Sequence, residues 1–259
     1  TLIVIPVLMI LVGAVFIVTP SQILTDKTDI PYMVWVAIII VYYFLATMLP
    51  VDKIIGRIYP LFGAALIFMA VSLLGVLIFG DYTIPELTSL RNMHFNAEKL
   101  PIIPTLFISI ACGAISGFHA TQSPLMARCM TNEKQSRPVF FGAMISESII
   151  ALIWAAIAMA FWGGIEGLND FMVKNSSDAG LAVSTISVTA LGVVGSILTL
   201  IGVVAAPITS GDTAFRSARL IVADMLGIEQ RSVVKRLLVS LPLFALGIGI
   251  AFIDFDVIW

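Results

Sequence analysis

Long apolar runs, interrupted by short charged segments, set the pattern along this chain. Seven stand out: 2–19, 32–49, 60–79, 101–126, 139–162, 181–207 and 237–253. Each holds 17 or more residues, enough to cross roughly 30 Å of hydrocarbon as a helix. Several runs are rich in Val and Ile, which taken alone could suggest strands. Barrel strands, however, are about ten residues long and alternate between apolar and polar positions, and these runs do neither. The pattern predicts an all-α, polytopic transmembrane helix bundle of about seven spans.

Composition agrees. The 259 residues are 59% hydrophobic and 12% charged, with a mean hydropathy of +1.07. An ordinary soluble domain carries about 25% charge and could not hide this much apolar surface. The formal charge of −2 leaves no basic field for nucleic acid, so the bilayer is the expected partner. Ten basic residues lie in the even-numbered loops and four in the odd-numbered ones, so the positive-inside rule places the even loops in the cytoplasm. The amino end is then inside and the carboxyl end outside. Cys112 and Cys129 are too few and too apolar in setting for a disulfide or metal site. No cofactor or metal is expected. Asn175-Ser176-Ser177 matches the glycosylation pattern, which is common by chance. No secretory leader is evident. The chain starts at Thr directly inside a span and is expected to be one transmembrane domain, 1–259, of a longer carrier.

Two polar interruptions carry the candidate chemistry. In the fourth span the purely apolar part, 102–115, covers only about 21 Å. It continues as Ser116-Gly117-Phe118-His119-Ala120-Thr121-Gln122-Ser123-Pro124. Pro124 has no N–H, which frees the Ala120 carbonyl if the helix continues. Ser116, His119 and Ser123 would share one helical face, with Gln122 three residues beyond His119. Gly113-x-x-x-Gly117 alone also describes a packing face, and a lone membrane His can bond a neighbouring carbonyl. The concentration of His, Thr, Gln, Ser and Pro favours a broken helix facing a cavity, the way carriers build midplane sites. A second break is expected at Pro207-Ile208-Thr209-Ser210-Gly211-Asp212-Thr213, after a span rich in Ser and Thr. Those hydroxyls singly read as bonded to their own helix backbone. The candidate substrate-binding residues are Ser116, Gly117, His119, Thr121, Gln122 and Ser123, with Thr209, Ser210 and Asp212.

In the sixth loop, Phe215, Ala218, Val222 and Met225 fall on one helical face, with Arg216 and Arg219 on another. Asp212 precedes Arg216 by four residues, the favourable order for a helical ion pair. An amphipathic helix over about 213–226 on the inner interface and a solvated connector both fit this pattern. Glu147 lies about eight residues into the fifth run, roughly 12 Å from its start. A charge near mid-bilayer costs on the order of 2.5–3.5 kcal/mol on insertion scales, so this carboxyl is expected to face a polar interior. Proton carriage, ion coordination or a buried polar partner would justify it. The expected proton-coupling residues are Glu147 and, on the neighbouring span, His119.

Leu49-Pro50-Val51-Asp52-Lys53-Ile54-Ile55-Gly56-Arg57, the stretch from Ala111 to Pro124, Ser146-Glu147-Ser148 and the stretch from Pro207 to Arg216 resemble the carbon starvation protein A family. The resemblance covers about 45–230. It implies a cytoplasmic-membrane carrier of bacteria and archaea, linked to peptide uptake in carbon starvation, with relatives associated with proton-driven pyruvate uptake. It also implies kinship with carriers built from two inverted five-helix repeats. Family members begin with further spans, including a Gly-Pro-rich, His-bearing segment, so the remainder of the same carrier is an expected partner. The expected function is secondary active import of small carboxylates or peptides, coupled to protons. The alternative is a channel or proton-conducting subunit of a larger complex. Hydrolase motifs such as His-Glu-x-x-His and Gly-x-Ser-x-Gly are missing from the sequence, so no enzyme activity is expected.

The charge bias predicts sidedness. In a background lacking Cys112 and Cys129, a cysteine at Asn175 should label from outside and one at Asn132 from inside. Labelling of both from one side would break the seven-span topology.

Overall fold

The computed structural model describes residues 3–48, 52–85, 92–114, 123, 126–127, 129–175, 178–230 and 232–251. Side chains at 48, 52–59, 108 and 111–114 fall outside that description. The described residues form helices and no strand, as the run lengths require. In order these are α1 (Val4–Lys27), α2 (Tyr32–Met48), α3 (Asp52–Phe79), α4 (Ile102–Ala114), α5 (Ala143–Phe161), α6 (Ile165–Lys174), α7 (Ala179–Leu198), α8 (Ala205–Met225) and α9 (Val233–Ala251). A π-helical stretch, Arg137–Gly142, leads into α5, and another, Thr199–Val204, joins α7 to α8.

Five helical stretches among the described residues are long and apolar enough to cross a membrane: Val4–Lys27, Pro60–Phe79, Glu133–Phe161, Ala179–Met225 and Val233–Ala251. The protein is therefore a multi-pass membrane protein. The other two expected spans correspond to α2, 17 residues long, and α4, 13 residues long with a kink at Ile103. Most of the polar continuation of the fourth span lies outside the described residues.

The chain divides into two compact units, 1–66 with 196–259, and 67–195. In the first unit α8 packs against α1, α2 and α9, and α1 also meets α2 and α9. Its core joins Ile17, Val36, Ile39, Tyr43, Phe215 and Phe244. Phe215 is 1% exposed and stacks on Phe244 with ring centroids 4.5 Å apart. Gly13 on α1 and Gly247 on α9 make room for that ring. A Cβ at Gly13 would lie 2.7 Å from Phe215 Cε2, and one at Gly247 would lie 2.7 Å from its Cζ. Apolar side chains gain little by leaving lipid for one another. Close approach at small residues is therefore what holds membrane helices together.

Tyr43 supplies the polar counterpart. Its hydroxyl donates to the Phe16 carbonyl at 2.7 Å and lies 3.3 Å from the Pro207 carbonyl. Gly211 permits this contact, because a Cβ there would collide with the Tyr43 hydroxyl. The Phe16 carbonyl is thereby bonded to a side chain from another helix, at a depth where water is scarce.

The second unit contains the later part of α3, then α4, α5 and α6 and most of α7. Gly163 and Gly164, with φ of 76° and 129°, turn the chain between α5 and α6 in a conformation open mainly to glycine. Trp162 packs there against Phe161 and Phe171, with centroids 4.9 and 4.6 Å away. The Asn169 side chain donates to the Met93 carbonyl at 2.6 Å, tying α6 to the preceding loop. Within α7, Gly192 adopts φ 60° and ψ −137° and kinks the helix.

Gly247→Ala should destabilise the protein by roughly 1–3 kcal/mol through overpacking on Phe215. Gly249→Ala, with nothing within 4 Å of its added Cβ, should be neutral or gain up to about 1 kcal/mol of helix propensity. Thermal unfolding in detergent compares them. Equal midpoints would remove the glycine slot from this account.

Candidate functional site

Polar residues in α8 are enclosed where the sequence pattern placed a surface. Asp212 is 0% exposed, Ser217 4% and Arg219 6%, beside buried Ala214, Phe215 and Ala218. This corrects both readings of the segment, the interfacial helix and the solvated connector. Phe215 and Ala218 do turn inward, but the face bearing Arg219 is also covered, and Met225 of the apolar face is 42% exposed. The helix is surrounded because α1, α2 and α9 each pack on it. The expected break at Pro207–Thr213 is corrected too. Those residues are helical, and the irregularity lies one turn earlier, in the π-helical stretch Thr199–Val204. Pro207 follows directly on that stretch, and a proline without its N–H is a common cause of such a local departure from α-helical bonding.

The expected Asp212–Arg216 pair forms, with Arg216 Nη2 2.9 Å from Asp212 Oδ2. The same Nη2 lies 3.4 Å from the carbonyl of Ala46 in the last turn of α2. Such carbonyls have no intrahelical donor and carry the negative end of the helix dipole, so a guanidinium suits them. Arg219 follows Asp212 by seven residues and Arg216 by three, which puts all three on one stripe of α8. Its charge is felt together with those of Arg216, Asp212 and Arg236 of α9. Arg236 Nε donates to the Gln230 carbonyl at 2.6 Å.

Several buried polar atoms in this unit have no hydrogen-bond partner among the described residues. They are Asp212 Oδ1, Arg219 Nε and Nη1, Thr47 Oγ1, Gln230 Oε1 and Ser240 Oγ. Each such orphan costs on the order of 1–3 kcal/mol, more when charged. Orphans of this kind are uncommon enough in folded proteins to mark strain or function. Arg219 and Tyr43 were not among the candidates read from the sequence. Arg219 looked like an ordinary cytoplasmic positive charge, and Tyr43 like one more aromatic in an apolar run.

The other candidates distribute as follows. Ser116, Gly117, His119, Thr121 and Gln122 lie outside the described residues. Ser123 is half-buried and helical in the second unit. Thr209 and Ser210 are half-buried on α8, where Thr209 donates to the Ala206 carbonyl at 2.8 Å and so spends its proton locally. The same habit holds for Thr185 on Leu181 and Ser187 on Val183, each at 2.8 Å. Glu147 is exposed on α5. Asp212 is the enclosed carboxylate of the α8 stripe.

The sequence model of the family described as carbon starvation protein CstA matches residues 1–196. The chain belongs to this family. An "Uncharacterized membrane protein" of Haemophilus influenzae is 47% identical over 161 residues, which is 56% of this chain and 43% of the relative. "Pyruvate/proton symporter BtsT" of Escherichia coli is 31% identical over 146 residues, 55% of this chain and 20% of BtsT. "Peptide transporter CstA" of Campylobacter jejuni is 30% identical over 161 residues, 58% of this chain and 21% of the relative. The chain thus spans less than half the length of these curated relatives. No solved structure matches it. The family match ends before α8, so the enclosed charges rest on the geometry alone.

Proposed function

We propose that this CstA-family chain forms part of a secondary active transporter in the cell membrane. It imports small carboxylates such as pyruvate, or short peptides, coupled to proton movement. The observation that carries this reading is the enclosed charged stripe of α8, with Asp212 fully buried. Ionised groups at membrane depth are costly, and they persist chiefly where they pair, bind a substrate or move a proton. The symporter and peptide-transporter names of the relatives point the same way for the full-length proteins.

In this reading Thr209, Ser210 and Asp212, with the 116–123 segment, contribute to substrate binding. Glu147 and His119 serve proton coupling. An exposed carboxylate within a membrane-length helix needs polar cover, and a proton route would supply a reason for it.

Energetics separate the candidate cargoes. Each net charge moved gains about 2.3 kcal/mol per 100 mV, close to fifty-fold accumulation. A proton carried with one monoanion moves no net charge, so the pH gradient alone drives it. A proton carried with a neutral peptide responds to voltage as well.

The test is uptake by the complete native carrier in vesicles under an imposed pH gradient. The parent should accumulate pyruvate or a short peptide above the outside concentration, which a channel cannot do. Glu147→Gln should abolish accumulation while leaving the helical content unchanged. Parent-like accumulation by Glu147→Gln from pH 5 to 8 would reduce Glu147 to a structural polar group. Equilibration without accumulation by the parent would favour the channel.

A further inference from the structure

The stripe on α8 carries Asp212, Arg216 and Arg219. Among the described residues, the charges that act on Arg219 are those of Arg216 and Arg236, both positive, and of Asp212, which is negative. Arg216 already engages Asp212 Oδ2 and meets the Ala46 carbonyl, and Arg236 engages the Gln230 carbonyl. Arg219 differs. It is 6% exposed, and its Nε and Nη1 find no acceptor among the described residues. Helical side chains lean towards the amino end of their helix, so Arg219 reaches back towards Arg216 and Asp212.

We propose that Arg219 is the anchor of a carboxylate-binding subsite in the first unit, with Arg216 and Arg236 supplying supporting positive charge. The subsite deepens the carrier reading above and rests on it for the identity of its ligand. A guanidinium suits this task because it stays charged when buried and presents fixed N–H donors to a planar carboxylate. Thr47 Oγ1 on α2 and Ser240 Oγ on α9, one turn beyond Arg236, are unpaired among the described residues and belong to two of the three helices that pack on α8. Asp212 Oδ1, also unpaired among the described residues, is an acceptor on the same stripe. It would repel the carboxylate unless it holds a proton or meets a donor on the ligand. Pyruvate with a proton and a zwitterionic dipeptide each satisfy that condition, and the shared chemistry is the carboxylate on Arg219.

Binding to the purified complete carrier in detergent, followed by titration calorimetry, tests this. The probes are pyruvate, pyruvamide, L-alanyl-L-alanine and inorganic phosphate. Pyruvate or the dipeptide should bind and pyruvamide should not, and whichever of the two binds identifies the source of the carboxylate. Arg219→Gln should raise the Kd at least tenfold. Arg236→Gln, at a half-buried position, should raise it several-fold and serves as the deciding variant if Arg219→Gln does not fold. Unchanged affinity in the folded variant, or binding of phosphate with neither carboxylate, would overturn the subsite. Arg219-dependent binding by a parent that accumulates nothing would uphold the subsite and sink the carrier reading. Accumulation by Arg219→Gln with the parent's KM would uphold the carrier and overturn the subsite.

Discussion

Everything distinctive about the first unit follows from enclosing a charged helix among apolar ones. α8 brings Asp212, Arg216 and Arg219 among α1, α2 and α9, whose residues are mainly apolar. Removing an ion from water costs several kcal/mol even after relaxation, and pairing returns that only when the geometry is good. The 2.9 Å contact between Asp212 and Arg216 is such a pairing, and the Ala46 carbonyl at the end of α2 adds a second acceptor. Arg219 has no equivalent compensation among the described residues, which makes it the most informative side chain in the unit.

Holding such a helix requires tight packing by means other than the hydrophobic effect. Glycines at 13, 211 and 247 let Phe215 and Tyr43 approach neighbouring helices closely, and the Tyr43 hydroxyl binds the Phe16 carbonyl. The aromatic stack and the hydroxyl contact fix how α8 sits against its neighbours, and with it the direction in which the charged stripe points. Packing and candidate chemistry therefore share one stretch of α8, since Phe215 lies one position before Arg216.

The helical class and the membrane location were legible in the sequence, because run length and continuity of apolar residues decide them. The Asp212–Arg216 pair was legible from its spacing of four. The burial of α8 was not. A helix with an apolar face at Phe215 and Ala218 and arginines elsewhere has the same pattern whether it lies on an interface or inside a bundle. Only the packing of three other helices decides between them. Gly192 and the π-helical turn at Thr199–Val204 were also missed, since an isolated glycine and a Thr-Leu-Ile-Gly run carry no distinctive local signal. Pro207 drew the expected break towards itself, although the helix continues through it and the departure lies just before it.

The enclosure of α8 is the central claim, and thiol accessibility measures it most directly. Successive helical residues rotate by about 100°, so Ser217 lies nearly opposite Phe215. An interfacial helix must expose one of those two sides, whereas both are buried here, Ser217 at 4% and Phe215 at 1%. Single cysteines at 217 and, as an exposed reference, at Met225 should be compared in native membranes with a small water-soluble thiol reagent. The account predicts rapid labelling at 225 and little at 217. Labelling of 217 as fast as 225 would contradict it and return α8 to the membrane surface.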